Sequence, residues 1–359
     1  MKKSKKIALL VGALLLAAGL AVSLIALAMI GFDFGRLSTE QYEEKTFSFA
    51  GPVSALEIHG ASHDVRILPW EEDGVRVVCY ESERVSYEVK TEADTLSVSA
   101  VSSGSARWFG IFMGKEPVTT VYLPAAEYES LTLRNGSGDV RVEDGLVFGR
   151  ASVEALSGDI AFFADVTGNL AARCKSGNLF LADLAAGACE LESTSGDLTL
   201  KDVACGPLSV QTLSGDLNII RLKGEDVTLR TTSGDLELDG AECASLAAIS
   251  NSGELDFHGL SAEGDVTLES SSGDVELEKS FAGAFSIATS SGSVHFERSD
   301  ADSLSVTTSS GDVRGSLLSA KFFSVRSSSG SIRIPESDRE GGICEIRTSS
   351  GDIKIEIIP

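Results

Sequence analysis

A chain of 359 residues, 43% of them hydrophobic, is long enough to bury a sizeable core. Its 53 acidic residues against 30 basic ones leave a net charge of −23, so the surface repels nucleic acid and anionic lipid, which argues against a DNA- or RNA-binding role. Aromatic residues are only 6%, which suits a narrow core lined by Val, Leu and Ile rather than a broad globular one.

Residues 1–6 are a basic tail, with Lys2, Lys3, Lys5 and Lys6. They precede an uncharged run from Ile7 to Ile30, and the 24 residues of that run suffice to cross a bilayer as a helix. Asp33, Glu40, Glu43 and Glu44 follow, so the positive-inside rule sets the tail in the cytoplasm and everything after residue 30 outside the cytoplasmic membrane in a single pass. A cleaved signal peptide ending near Ala26-Leu27-Ala28 is the alternative, but the apolar run is long for one. Residues 31–45 read as a juxtamembrane linker.

Residues 46–125 read as an irregular N-terminal cap. Within it, Leu56 to Ile67 matches the repeat described below, with His63 where that repeat has glycine. Strand-like alternation continues at Val75–Cys79, Val85–Val89, Leu96–Ala100 and Val118–Leu123. An insertion between Ser102 and Pro117 carries Trp108, Phe109, Ile111, Phe112 and Met113. Two readings stand for it: a loop folded over the end of the repeat array, or an exposed apolar tip that touches the bilayer or a partner.

From 126 to 359 the tripeptide Ser-Gly-Asp, or a near variant, recurs about every nineteen residues. Its glycines run Gly138, Gly158, Gly177, Gly196, Gly215, Gly234, Gly253, Gly273, Gly292, Gly311, Gly330 and Gly351. Counting from each glycine, position −1 is serine in all twelve copies, and position +2 is always Val, Leu or Ile. Positions −7, −5 and +4 are mostly apolar, with polar residues between them, as in two short strands that each bury one face. The apolar phase slips by one residue at the glycine, so a straight strand would turn half of these side chains outward. A corner at Ser195-Gly196, Ser214-Gly215 and Ser233-Gly234 resolves the slip. Glycine is expected there for its access to positive φ, and serine and aspartate for oxygens that bond nearby amides. A fixed period with one residue type at each phase points to identical positions stacked on one another, and a short third apolar position at Leu146, Val166, Leu184, Val203, Leu222 and Leu260 fits a coil better than a hairpin meander. The expected fold is all-β: a parallel β-solenoid of about twelve regular coils with irregular cap coils, preceded by one transmembrane helix.

Little in the sequence carries chemistry. Asp197, Asp216 and Asp235 occupy one position in consecutive coils and could stack into a calcium ladder. The same position holds Asn178, Glu254, Ser293 and Ser331, an exchange that turn chemistry predicts and a metal ladder does not, so turn bonding is the favoured reading. His59, His63, His258 and His295 lack converging ligands, and His59 and His63 read as surface residues. Twelve equivalent serines supply no asymmetric nucleophile–base pair, and position −4 mixes signs as a solvated face does. No enzyme activity and no cofactor are expected. The six cysteines do not form a disulfide framework and read as buried free thiols. Ile353, Ile355, Ile357 and Ile358 are expected to form an open last edge, with Lys354 and Glu356 discouraging further pairing.

The lysine-led apolar segment, Gly31-Phe32-Asp33-Phe34, Leu37-Ser38-Thr39-Glu40, Tyr122-Leu123-Pro124 and the Ser-Gly-Asp ladder together resemble a bacterial family of membrane-linked β-strand-repeat proteins of unknown function, grouped as candidate adhesins. The resemblance covers nearly the whole chain. It implies an extracytoplasmic solenoid with an adhesive or envelope-interaction role, its ligand a cell-envelope component or a protein. An envelope-stress or signalling accessory and an end-to-end scaffold are the alternatives.

Overall fold

The structure, a computed structural model, describes residues 41–102 and 117–358 together with scattered helical residues between 12 and 28. The apolar span at 7–30 thus lies largely outside the described residues, and the loop from Trp108 to Met113 lies wholly outside them. Among the described residues no helix is long and apolar enough to cross a membrane.

Each repeat is one coil of a parallel β-solenoid. The strand before the corner glycine forms the first side and the strand after it the second. Leu198, Leu217, Leu236, Leu255 and Val275 lie directly over one another on the second side. Leu191, Val210, Leu229, Ala248 and Leu268 do so on the first. Like pairs with like, which a meander would forbid. A third, shorter side begins at position +7, where Leu184, Val203, Leu222 and Leu260 are buried. The chain reaches it through a left-handed residue at position +6: Asp183, Asp202, Arg221, Gly240, Gly259 and Lys279 have φ between 48° and 78°. One continuous core fills the rod, with Phe148, Phe162, Phe257, Phe285 and Phe296 among its fully buried side chains.

The corner glycines serve a different purpose from the one expected. None from Gly177 to Gly351 lies in the left-handed region. Instead, each Cα sits against the carbonyl of the glycine in the adjacent coil. A Cβ on Gly234 would lie 1.8 Å from the Gly215 oxygen, and one on Gly253 would lie 1.7 Å from the Gly234 oxygen. Close approach of backbones excludes a side chain there.

Both ends of the array depart from sequence order. Leu56 pairs with Leu96 on one side and Leu131 on the other, and Ile67 pairs with Val121 and Val142. The first coil in sequence is therefore second in space, held between the 95–124 coil and the Gly138 coil. At the other end Ile346 lies between Val306 and Val325, and Ile353 lies between Val313 and Ile332. The last coil in sequence is thus wedged between the Gly311 and Gly330 coils. This corrects the expected open edge: Ile353 and Lys354 are paired on both sides, the rest of the strand Ile353–Ile357 is paired with the Gly311 coil, and the Gly330 coil is outermost. Its Ile332, at a position buried elsewhere, is 45% exposed. Part of that outer edge is covered, because Phe323 N donates to Ser337 Oγ (3.0 Å) and Asp338 N donates to the Lys321 carbonyl (2.9 Å). Lys321 itself is buried, its Nζ 2.6 Å from Asp300 Oδ1 and bonded to the Ala301 carbonyl and Ser319 Oγ.

The opposite end is closed by antiparallel strands. Val85–Glu92 covers Thr95–Ser102, turning through Ala93 and Asp94, both at positive φ as a two-residue hairpin requires. Val75–Glu81 covers Val118–Pro124, and Glu43–Phe49 lies outside that.

Gly234→Ala is expected to lower the melting temperature, since overpacking of this kind costs ~1–3 kcal/mol. Gly240→Asn is the control: it keeps a residue that tolerates the left-handed region, and a Cβ there meets nothing nearer than 3.9 Å. Thermal denaturation by circular dichroism separates the two, and equal melting of both variants would contradict the close-approach account.

Candidate functional site

Hydrogen bonding at the corner follows from the stacking and is shared by two columns. Aspartate at +1 accepts the amide of its counterpart in the adjacent coil: Asp216 N donates to Asp197 Oδ1 (3.0 Å), Asp235 N to Asp216 Oδ1 (2.9 Å) and Glu254 N to Asp235 Oδ1 (2.9 Å). Asn178 Oδ1 accepts from Asp197 N in the same way, at 2.9 Å. The position therefore needs an acceptor oxygen and not a charge. Asp197, Asp216 and Asp235 each spend Oδ1 on the ladder, and among the described residues no group of three or more His, Cys, Asp or Glu could hold a metal ion.

The second column lies at position −3, which the sequence reading passed over in favour of the serines at −1. Ser195, Ser214 and Ser233 are exposed, whereas the −3 side chains are buried. Ser270 Oγ accepts from Gly273 N (2.8 Å), and Thr289 Oγ1 accepts from Gly292 N (3.0 Å). Thr308 Oγ1 accepts from Gly311 N at 3.0 Å and donates to the Gly292 carbonyl at 3.2 Å. Cys174 replaces the hydroxyl and donates to the Gly158 carbonyl (3.1 Å). Ser193 breaks the pattern: it is 7% exposed, yet its Oγ has no hydrogen-bond partner.

Small side chains at −3 leave a furrow between the outward positions −4 and −2. Two adjoining cavities of about 460 Å³ each occupy it, one lined by residues between Glu154 and Leu213 and the other by residues between Gln211 and Ser290, and they meet at Gln211. Leu156 and Leu213 stand exposed on its −2 rim. The alternating charges at −4 pair along the stack, Arg134 with Glu154 (3.2 Å) and Arg173 with Glu192 (3.0 Å). Such exposed pairs contribute ~0–1 kcal/mol each, so their effect is to cancel charge more than to stabilise. Over the eight coils from Gly158 to Gly292 the two rims carry Glu154, Glu192 and Glu269 against Arg173, Lys175 and Arg230, a net charge of zero.

The second side is the electrostatic opposite. In the four coils from Gly234 to Gly292 its outward positions hold nine carboxylates against His258 and His295. Burial and the surrounding Asp256, Asp274, Asp235 and Glu276 raise the Glu254 carboxyl above its ordinary range. Partial burial would lower His258, but Asp256 (3.1 Å) and Glu278 (2.9 Å) outweigh it and raise its pKa.

One expectation needs correction. His63 is not a surface residue: it is 8% exposed, and its Nδ1 lies 2.9 Å from the Tyr87 hydroxyl, which also accepts from Thr119 Oγ1. Cys189 lies buried in its apolar slot as expected, and its interaction with the Cys205 thiol holds Cys205 below its ordinary range and, with burial, pushes Cys189 up. All six cysteines are free.

The family model described as Toastrack DUF4097 matches residues 53–169, 164–284 and 265–358. No curated protein matches the chain. Among solved structures, a candidate adhesin from Parabacteroides distasonis is 11% identical, with a TM-score of 0.40 over 77% of this chain and 98% of its own. A candidate adhesin from Bacteroides fragilis is 13% identical, with a TM-score of 0.31 over 88% and 97%. A protein from Parabacteroides distasonis described as a candidate lipid-binding protein is 14% identical, with a TM-score of 0.35 over 77% and 98%. Likeness at this level carries no functional argument.

Three substitutions separate the roles of the corner columns. Ser270→Ala strips a buried amide of its acceptor and is expected to cost ~1–3 kcal/mol. Asp235→Asn keeps an acceptor, as Asn178 does, and Ser193→Ala removes a hydroxyl that bonds nothing. Both should melt within a degree or so of the parent in chemical or thermal denaturation.

Proposed function

The chain belongs to the Toastrack DUF4097 family, and on that premise we propose that it is an adhesin-like interaction module of the bacterial envelope, tethered outside the cytoplasmic membrane by the span at 7–30. The observation that carries this reading is the furrow. On a chain of net charge −23 it is a long, charge-balanced, polar surface with exposed leucines on its rim, suited to contact with an extended partner. The ends favour a single rod over a filament. Antiparallel strands bearing Lys45 and Lys90 close one end, and Ser337 and Asp338 cover part of the other.

Two measurements test the proposal on cells carrying the full chain. Protease added to intact protoplasts should digest the solenoid and leave a short membrane stub. The detergent-solubilised chain should co-sediment with isolated cell-envelope fragments. Complete protection in sealed cells would contradict the location, and failure to co-sediment would contradict the adhesive role.

A further inference from the structure

We propose that the furrow between positions −4 and −2 binds a neutral, extended polysaccharide chain lying parallel to the solenoid axis. The inference rests on the adhesive reading and names the class of ligand. Over the eight coils from Gly158 to Gly292 the furrow runs roughly 34 Å, at ~4.8 Å per coil.

Charge decides first. The rims sum to zero while the neighbouring second side is strongly acidic, so an anionic polymer gains nothing in the furrow and is repelled on approach. A cationic polymer would be drawn to the acidic side instead. A neutral one is left as the occupant suited to this surface.

Spacing decides next. An extended polypeptide presents side chains on one side every ~6.8 Å, out of step with coils ~4.8 Å apart. A pyranose polymer with equatorial linkages advances by roughly one coil spacing per sugar, so successive sugars fall beside successive coils. The furrow's groups suit it: hydroxyls and amides such as Thr232, Asn251 and Ser271 both donate and accept, and Leu156, Leu213 and Ile249 offer small apolar contacts.

The third observation is Ser193. It lies on the furrow floor between Cys174 and Thr212, is more than nine-tenths buried, and has an Oγ with no partner in a column whose other hydroxyls are bonded to glycine amides or carbonyls. A buried hydroxyl left unpaired is costly, and this one lines the same cavity as Leu156 and Leu213.

Affinity electrophoresis of the detergent-solubilised full chain through hydroxyethylcellulose, a neutral equatorially linked polymer, tests this, with polygalacturonate as the anionic comparison. The neutral polymer should retard the protein and the anionic one should not. Leu213→Asp and Leu156→Asp, both exposed, should weaken retardation by about tenfold, which corresponds to the loss of one good contact. Ser193→Ala should weaken it with melting unchanged, and Asp239→Asn on the opposite side should leave it unaltered. Absence of retardation by the neutral polymer, equal retardation by both polymers, or indifference to the furrow variants would overturn the inference. Envelope co-sedimentation run in parallel separates the two claims. Retained envelope binding without polysaccharide binding defeats only the ligand class, and loss of both defeats the adhesive reading as well.

Discussion

The whole architecture depends on one contact: the Cα of each corner glycine against the carbonyl oxygen of the glycine in the next coil. A Cβ on Gly196, Gly215 or Gly234 would lie 1.8 to 2.0 Å from that oxygen, so no other residue lets the coils close to sheet distance at the corner. Once they do, the +1 amide of one coil falls within reach of the +1 carboxylate of another, and the −3 hydroxyl falls between a glycine amide and a neighbouring glycine carbonyl. Each ladder is a consequence of the approach. The buried Val, Leu and Ile columns supply the driving force, and the glycines set how tightly it can be used.

The two tucked ends follow the same logic. A solenoid's terminal coil has a partner on one side only, and a free chain end placed there would fray. Here both outermost coils are continuous with the chain at each of their own ends, while the Leu56–Ile67 coil and the Cys344–Ile353 coil are clamped between two neighbours. At one end antiparallel strands complete the closure. At the other, Lys321 bonded to Asp300 and the Ala301 carbonyl closes the core with a charge that is fully partnered.

Much of this was legible in the sequence, and the reasons for the misses are physical. The period, the phase slip and the apolar columns specify a parallel solenoid, because only like-on-like stacking keeps Leu236 and its counterparts at one phase. The order of the last coils was hidden, since the Gly330 and Gly351 repeats carry nearly the same pattern and either fits beside Gly311. The role of glycine was misjudged because positive φ and close approach select the same residue. The left-handed turn lies instead at +6, where Asp183, Arg221 and Lys279 give no glycine signal. His63 is buried by Tyr87 and Thr119, neither close to it in sequence. The furrow was half visible: position −4 read as outward and mixed in charge. The hydroxyls at −3 could have been found by the same column-by-column count that revealed the serines at −1. That Ser193 alone among them is unbonded could not, because it depends on distances of a few tenths of an ångström.

The central claim is that coils stack through the glycine contact with the chain's last coil wedged inward, and native-state hydrogen exchange addresses it most directly. The account predicts that amides of Ile353, Ile346 and Cys344, bonded within a sandwiched coil, exchange as slowly as those of Leu236 and Leu255 in the middle of the rod, while amides of the outermost Gly330 coil, such as Arg333, exchange sooner. Rapid exchange across 342–357, slower protection having moved to 321–333, would place the chain's end on the outside and contradict it.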